Sequence, residues 1–505
     1  MTSIWAFLNN RIILFILFIF SLNISMIGPP SVPIKSAILA LDISLLYDTF
    51  TNAESIYRMP DSLLRFTFFL LSLVFFFLII YSKNINYKKP SSISYITSFL
   101  MLAFLISILV TDDIYNYIAV LLILLSFIYL ILYRKILLTN LEILLISTYI
   151  IMFIIPFWSS LLHTTSFSET DNYLRFFLVI PVYLIIREVE FTPLHLYLSI
   201  NIASILIGLF AIYCAYLIGE IRVRGFSSSA VIFGNISLLF SFFSFLTIQK
   251  YIDNYNSKLL PIIASMLAFY GWILSGSRGS LLFVLIFMVL LLSSHYRRHL
   301  LLSKKIIFSA LLLIPIIFFN SSISTRFSNA YESTYNYFID GSGHYWKHSD
   351  SIVPRMNIWK ASLLMIEKNY YTGVGLDNFN HSLEREITLK NIQPIRSFSD
   401  NPTAGMNHAH NQYLDIFAKT GIFGLISLLI FISFHIFFFY HAYSQAREDE
   451  DIKYISLIGI TSIVGYSLYM LFHCVFSHQQ SILFMSILLI TLSGIISKRL
   501  RDLQS

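Results

Sequence analysis

Three short motifs hold the residues whose types and spacing could do chemistry. They are "GEIRVRGFSSSAVIFGN" with Arg222 and Arg224, "SGSRGSLL" with Arg278, and "HAHNQYLDIFAKTGIFG" with His408, His410 and Asn411. Arginine keeps its charge at any physiological pH and presents a planar fork of donors that fits phosphate oxygens. Histidine accepts a proton near neutrality, so it can activate a hydroxyl as a general base. Each group also has a plainer reading. A single arginine can snorkel to lipid head groups or cap a helix C-terminus, and His410 and Asn411 precede an apolar run at Gln412 that Asn411 would cap well.

The elements that position these motifs follow from composition. The 505-residue chain is 57% hydrophobic and 12% charged, with a mean hydropathy of +0.74. That is too apolar for a soluble domain to hide. Apolar runs long enough to cross the hydrocarbon recur through most of its length, and only helices satisfy their backbones there. The fold class is therefore an all-α integral membrane protein, a polytopic bundle of about 12–14 transmembrane helices. Candidate spans fall near 11–28, 64–82, 92–111, 114–133, 138–156, 172–187, 195–218, 229–248, 258–275, 279–295, 304–319, 412–438, 454–474 and 480–497. Prolines 181, 261 and 315 interrupt three of them.

The net charge of +7 does not point to nucleic acid, because the basic residues cluster in short loops on one side. Lys83 to Lys89, Arg134 with Lys135, Arg297 to Lys305, and Lys498 to Arg501 follow the positive-inside pattern. Both termini then lie in the cytoplasm, and the first span reads as a retained anchor. Cys214 and Cys474 both fall within spans, which gives neither a disulfide framework nor a metal site.

On the other face lie 29–63, 157–171, 219–228 and a long loop over about 320–410, too long for a passive connector. Three units follow: 1–319 with the N-terminal spans, 320–411 as the large loop, and 412–505 with the C-terminal spans. Within the loop, Met356, Trp359, Leu363 and Ile366 form one stripe of an amphipathic helix over 355–368 that would lie on the membrane surface. Gly373 and Gly375 end it.

All three motifs sit at outer ends of spans, where cations are not expected, and that marks a site. Small residues around Arg278 (Ser275, Gly276, Ser277, Gly279) let other groups approach closely. Two or three arginines on one membrane face would suit a lipid-linked diphosphate. Gly421 and Gly424 would allow close helix packing beneath His410. Asp171 and Arg175 have the i, i+4 spacing of an orienting ion pair. Asp112 with Asp113 lacks a third metal ligand. No P-loop, Rossmann or other nucleotide motif is present, so the energy must come with the substrate.

These residues resemble a known family. "HNQYLDIFAKTGIFG", with His410, Asn411, Gly421 and Gly424, is similar to the histidine and twin-glycine pattern of the bacterial O-antigen ligases. "SGSRGSLL" resembles the Ser-x-Ser-Arg-Gly signature of the wider O-antigen ligase and polymerase superfamily, and "RVRGFSSSAVIFGN" its Arg-x-x-Gly turn, here with a second arginine, Arg224. "PRMNIWKASLLMIEKNYYTGVGLDNF", with Arg355, is similar to its arginine and tryptophan helix leading into a Gly-x-Gly turn, though Asn369, Tyr370 and Tyr371 stand where a proline is expected. The resemblance covers about 170–440; the N-terminal spans match only in hydropathy.

What the resemblance implies is an inner-membrane glycosyltransferase facing the periplasm, working without metal, nucleotide or other cofactor. The donor would be a glycan on undecaprenyl diphosphate and the acceptor a sugar of the lipid A core. Arg222 and Arg278 would hold the diphosphate, and His410 would deprotonate or orient the acceptor hydroxyl, with His408, Asn411 and Arg355 in support. A single displacement would invert the anomeric centre. An O-antigen polymerase, which extends a glycan on the lipid carrier, is the nearest alternative, and the complete glycine pair favours the ligase. A transporter or flippase would place ionisable residues mid-membrane, where these spans have almost none.

Overall fold

The computed structural model describes residues 91–132, 137–163, 170–248, 250, 259–292, 328, 335, 352–395, 403, 405–446 and 449–504. They form α1 (Ser91–Ser107), α2 (Ile114–Leu132), α3 (Asn140–Leu162), α4 (Thr170–Leu178), α5 (Ile180–Ile186), α6 (Pro193–Tyr213), α7 (Ala230–Leu246), α8 (Leu259–Ser275), α9 (Leu281–Leu292), α10 (Ile352–Lys368), α11 (Phe379–Thr388), α12 (Gln412–Gln445), α13 (Glu450–Tyr469) and α14 (Gln479–Gln504). Among the described residues, α2, α3, α6 with its π-helical extension to Ile218, α12, α13 and α14 are long and apolar enough to cross a membrane. The chain is a multi-pass, all-helical membrane protein. Spans 11–28, 64–82 and 304–319 lie outside the described residues.

Two expected elements differ. The span 172–187 is two pieces, α4 and α5, which meet at Val179 just ahead of Pro181, a residue that cannot donate to the helix ladder. Every residue of α5 is buried, as befits a segment apolar all round. The span 454–474 stops at Tyr469, so Cys474 lies beyond the helix, buried and reduced.

The central rod is α14, with 94% of its apolar window buried inside the bundle. It packs against α5, α13, α4 and α12, while α6, α7 and α8 form a second close group joined to it through α13. One end of the bundle is tied by ion pairs. Glu142, which also completes the capping box of Thr139, accepts from Arg187 at 3.1 Å. Arg499 bridges Asp449 at 2.8 Å and Asp451 at 3.2 Å, and Arg501 meets Glu188 at 2.7 Å. The N-terminus of α12 lies at the opposite end.

There the segment between α9 and α12 builds a small core of its own. Ile358, Ala361 and Met365 of α10 pack with Phe379 and Leu383 of α11 and with Ala409 and Ala418. The buried stripe of α10 is only partly the expected one: Ile366 is buried in this core and Trp359 half-buried, but Leu363 is not. Leu363 is 56% exposed, and Ile358, Ala361 and Met365 turn inward, because α10 packs against α12.

The glycines of the loop and of α12 have a joint role. Gly421 was expected as a helix-packing residue, but its φ of 71° interrupts the helical backbone of α12. A Cβ there would collide with the backbone of Tyr371, and a Cβ on Gly373 (φ 68°) with that of Lys419. The carbonyls freed by the break are taken by the turn. Val374 N–H donates to Ala418 at 2.8 Å and Gly375 N–H to Lys419 at 2.9 Å, while Ile422 N–H returns a bond to Tyr370 at 2.9 Å. Gly424 remains helical, against the Thr420 side chain.

Candidate functional site

Three turns far apart in sequence meet around one cavity of about 150 Å³, lined by Arg222, Arg278, Arg355, Asn235, Tyr469 and His473 among others. The first turn, 219–228, folds over the end of α8. Val223 N–H donates to Leu274 at 3.1 Å, the Glu220 carboxylate accepts from Arg224 N–H at 2.9 Å, and the Arg222 Nε donates to the Ser275 carbonyl at 3.0 Å. The second, Gly276 to Ser280, is held by the Trp272 indole, which donates to Ser277 O at 3.1 Å and Ser280 Oγ at 2.8 Å. Its small residues admit neighbours as expected, with Phe472 beside Gly279. The first turn of α10 supplies Arg355. Arg222 and Arg278 thus share a cavity, while Arg224 is exposed and is not among its lining residues.

Beside the arginines lies a cluster of four histidines. The rings of His408 and His410 are 4.4 Å apart, His410 and His473 6.3 Å, and His473 and His478 4.8 Å. His410 does not itself line the arginine cavity; His473 connects the two. The His410 backbone is left-handed, φ 53°, an uncommon state that surrounding structure must hold in place. Ala409 is gripped from both sides, its N–H donating to Asp415 Oδ1 at 2.9 Å and its carbonyl accepting from Trp359 Nε1 at 2.9 Å. Asp415 is buried with Lys419 at 3.3 Å. Asn411 is the N-cap of α12, its side chain accepting from Tyr413 and Leu414 N–H and donating to Leu471 O at 3.0 Å.

Burial, then the neighbouring cationic groups, push these imidazoles down. His408 falls to about 4 and His410 to about 3, with Arg355 contributing to both. His473 lies well below the usual range for the same reasons, and burial lowers His478. Burial thus favours the neutral form of all four rings, and a negative charge brought beside them would oppose that shift.

Asp171 and Arg175 form the expected ion pair at 3.1 Å and are absent from the cavity lining. Sequence reasoning missed His473, His478 and the Asp415–Lys419 pair. The signal for the first two was "FHCVFSH", two histidines just past the outer end of the 454–474 span.

Residues 263–429 match the family model described as O-Antigen ligase. That stretch contains Arg278, Arg355, His410 and both glycines of the twin-glycine motif; Arg222 and His473 lie outside it. An uncharacterized protein of Haemophilus influenzae is similar to the chain, 24% identical over 406 residues that cover 78% of this chain and 97% of the relative. Over residues 263–429, which hold Arg278, Arg355 and His410, the chain is similar to the O-antigen ligase family.

Proposed function

We propose that the chain is an O-antigen ligase that transfers a glycan from undecaprenyl diphosphate to a hydroxyl of the lipid A core, at the periplasmic face of the inner membrane. The observation that carries this reading is the gathering of Arg222, Arg278 and Arg355 from three distant segments around one cavity, beside a histidine cluster that contains His410. Isolated snorkelling arginines have no reason to converge.

In this reading the acceptor oxygen attacks the anomeric carbon while the bond from that carbon to the diphosphate oxygen breaks. The growing negative charge on the leaving diphosphate is stabilised by fixed guanidinium groups. His410, neutral before donor arrives, takes the hydroxyl proton. Attack opposite the leaving group inverts the anomeric centre, with no carboxylate nucleophile needed.

The test is the surface glycan of a strain lacking the gene. Loss of capped lipopolysaccharide with accumulation of lipid-linked polymer is expected. Capping by a single repeat unit would overturn the ligase assignment in favour of a polymerase.

A further inference from the structure

We propose that His473 is a further ligand of the donor diphosphate, an imidazole that joins the complex by taking a proton from solvent and donating a ring N–H to a phosphate oxygen. This rests on the diphosphate reading of the cavity and adds to it a residue outside the family motifs.

The geometry behind it is specific. His473 lines the cavity with the three arginines and is only 5% exposed. Neither of its ring nitrogens has a hydrogen-bond partner among the described residues. A buried imidazole with both nitrogens unmatched is costly unless something fills the site. Its surroundings select an anion. Arg222, Arg278 and Arg355 approach from three separate segments. His478 stacks on it, His410 lies 6.3 Å away, and His408 adds to the local field. The other titratable neighbour is Tyr469, at the end of α13, whose hydroxyl is also unmatched among the described residues.

An arginine here would stay charged against the repulsion of three guanidinium groups. Histidine changes charge near neutrality, so a modest change in the local field is enough to protonate it. A glycosyl diphosphate diester carries two negative charges that do not titrate near neutrality, so its arrival reverses the local field and the proton follows. Once His473 is charged, His410 at 6.3 Å is discouraged from protonating. When the diphosphate leaves, the His473 proton returns to solvent.

The experiment is titration calorimetry on the full chain in lipid nanodiscs. The probe is farnesyl diphospho-N-acetylglucosamine, measured in two buffers of different ionisation enthalpy between about pH 6 and about pH 8. Wild type should take up about one proton per donor bound and bind more tightly as pH falls. His473→Gln should lose the proton uptake and the pH dependence and bind roughly ten-fold more weakly, while Arg278→Ala should abolish binding. If the Gln variant fails to fold, His473→Asn replaces it, and the wild-type proton count stands without any variant. Binding that Arg278→Ala abolishes but that takes up no proton, or uptake that persists in the His473 variant, overturns this inference alone. No binding to wild type withdraws the diphosphate reading and this inference together.

Discussion

The Trp359 indole Nε1 donates to the Ala409 carbonyl at 2.9 Å, joining α10 to the segment that carries both motif histidines. The same peptide unit region is fastened on its other side by Asp415. Trp359→Phe removes one donor and leaves a buried carbonyl unmatched, at a cost of about 1–3 kcal/mol. We expect the protein to fold and insert, with turnover roughly ten-fold lower because His410 loses its fixed placement. Transfer assays beside a thermal melt check this; normal turnover would show that the grip is not needed.

For Arg278 the charge alone is insufficient, since lysine cannot reproduce a bidentate hold on phosphate. Arg278→Lys should insert normally and lose most transfer activity. Wild-type rates in that variant would mean the arginine merely reaches for head groups.

His410→Ala should lower turnover by about 10²- to 10⁴-fold with donor binding nearly intact, and His408→Ala much less. Measuring transfer and binding separately decides it. If His410→Ala fails only because donor no longer binds, the residue is a phosphate ligand and not the base.

The same histidines give the protein a defined pH response. The unfolded chain protonates them below about 6.5, whereas burial delays His408 to about 4 and His410 to about 3 in the folded state. The unfolded state therefore binds more protons within that window, and stability should fall as pH drops from about 6.5 toward about 3. Thermal melts of wild type and of a His408→Gln, His410→Gln double variant would show the slope and its reduction.

Gly421→Ala and Gly373→Ala should each destabilise strongly, by about 2 kcal/mol or more, since both positive φ and backbone collision oppose the methyl group. Gly424→Ala should be milder, because it lies in regular helix against a side chain. Limited proteolysis of the segment before α12 is the readout, and equal resistance in all three variants would refute the interlock.

Much of the architecture was legible because hydropathy over a span is a local property. The spans at 114–133, 195–218 and 480–497 each correspond to a helix within a few residues. Arg278 was legible because small residues flank it at a span end, and Arg222 because it sits in the turn ahead of an apolar span. His473 was not, since nothing in "FHCVFSH" indicates that it meets a turn some 250 residues earlier, a proximity visible only through pairs such as Ser228 and His478. The inward face of α10 was misjudged for a related reason. A periodic stripe shows that a helix has two faces, and the neighbours it meets decide which is covered; here Ala361, too small to weigh in the pattern, is fully buried in the loop's core.

The interlock of Gly373 with Gly421 also bears on the order of biogenesis. In the proposed orientation the break in α12 offers its carbonyls to a turn that is exported before α12 is inserted, and the turn has no other partner for Val374 and Gly375 N–H among the described contacts. In that orientation neither half is complete until α12 has been inserted and the preceding loop has crossed the bilayer. The histidine stretch, which lies between them in the chain, can settle only after that handshake. On that order the candidate site is assembled last, and a chain with misrouted topology lacks the site as well as the loop's anchor.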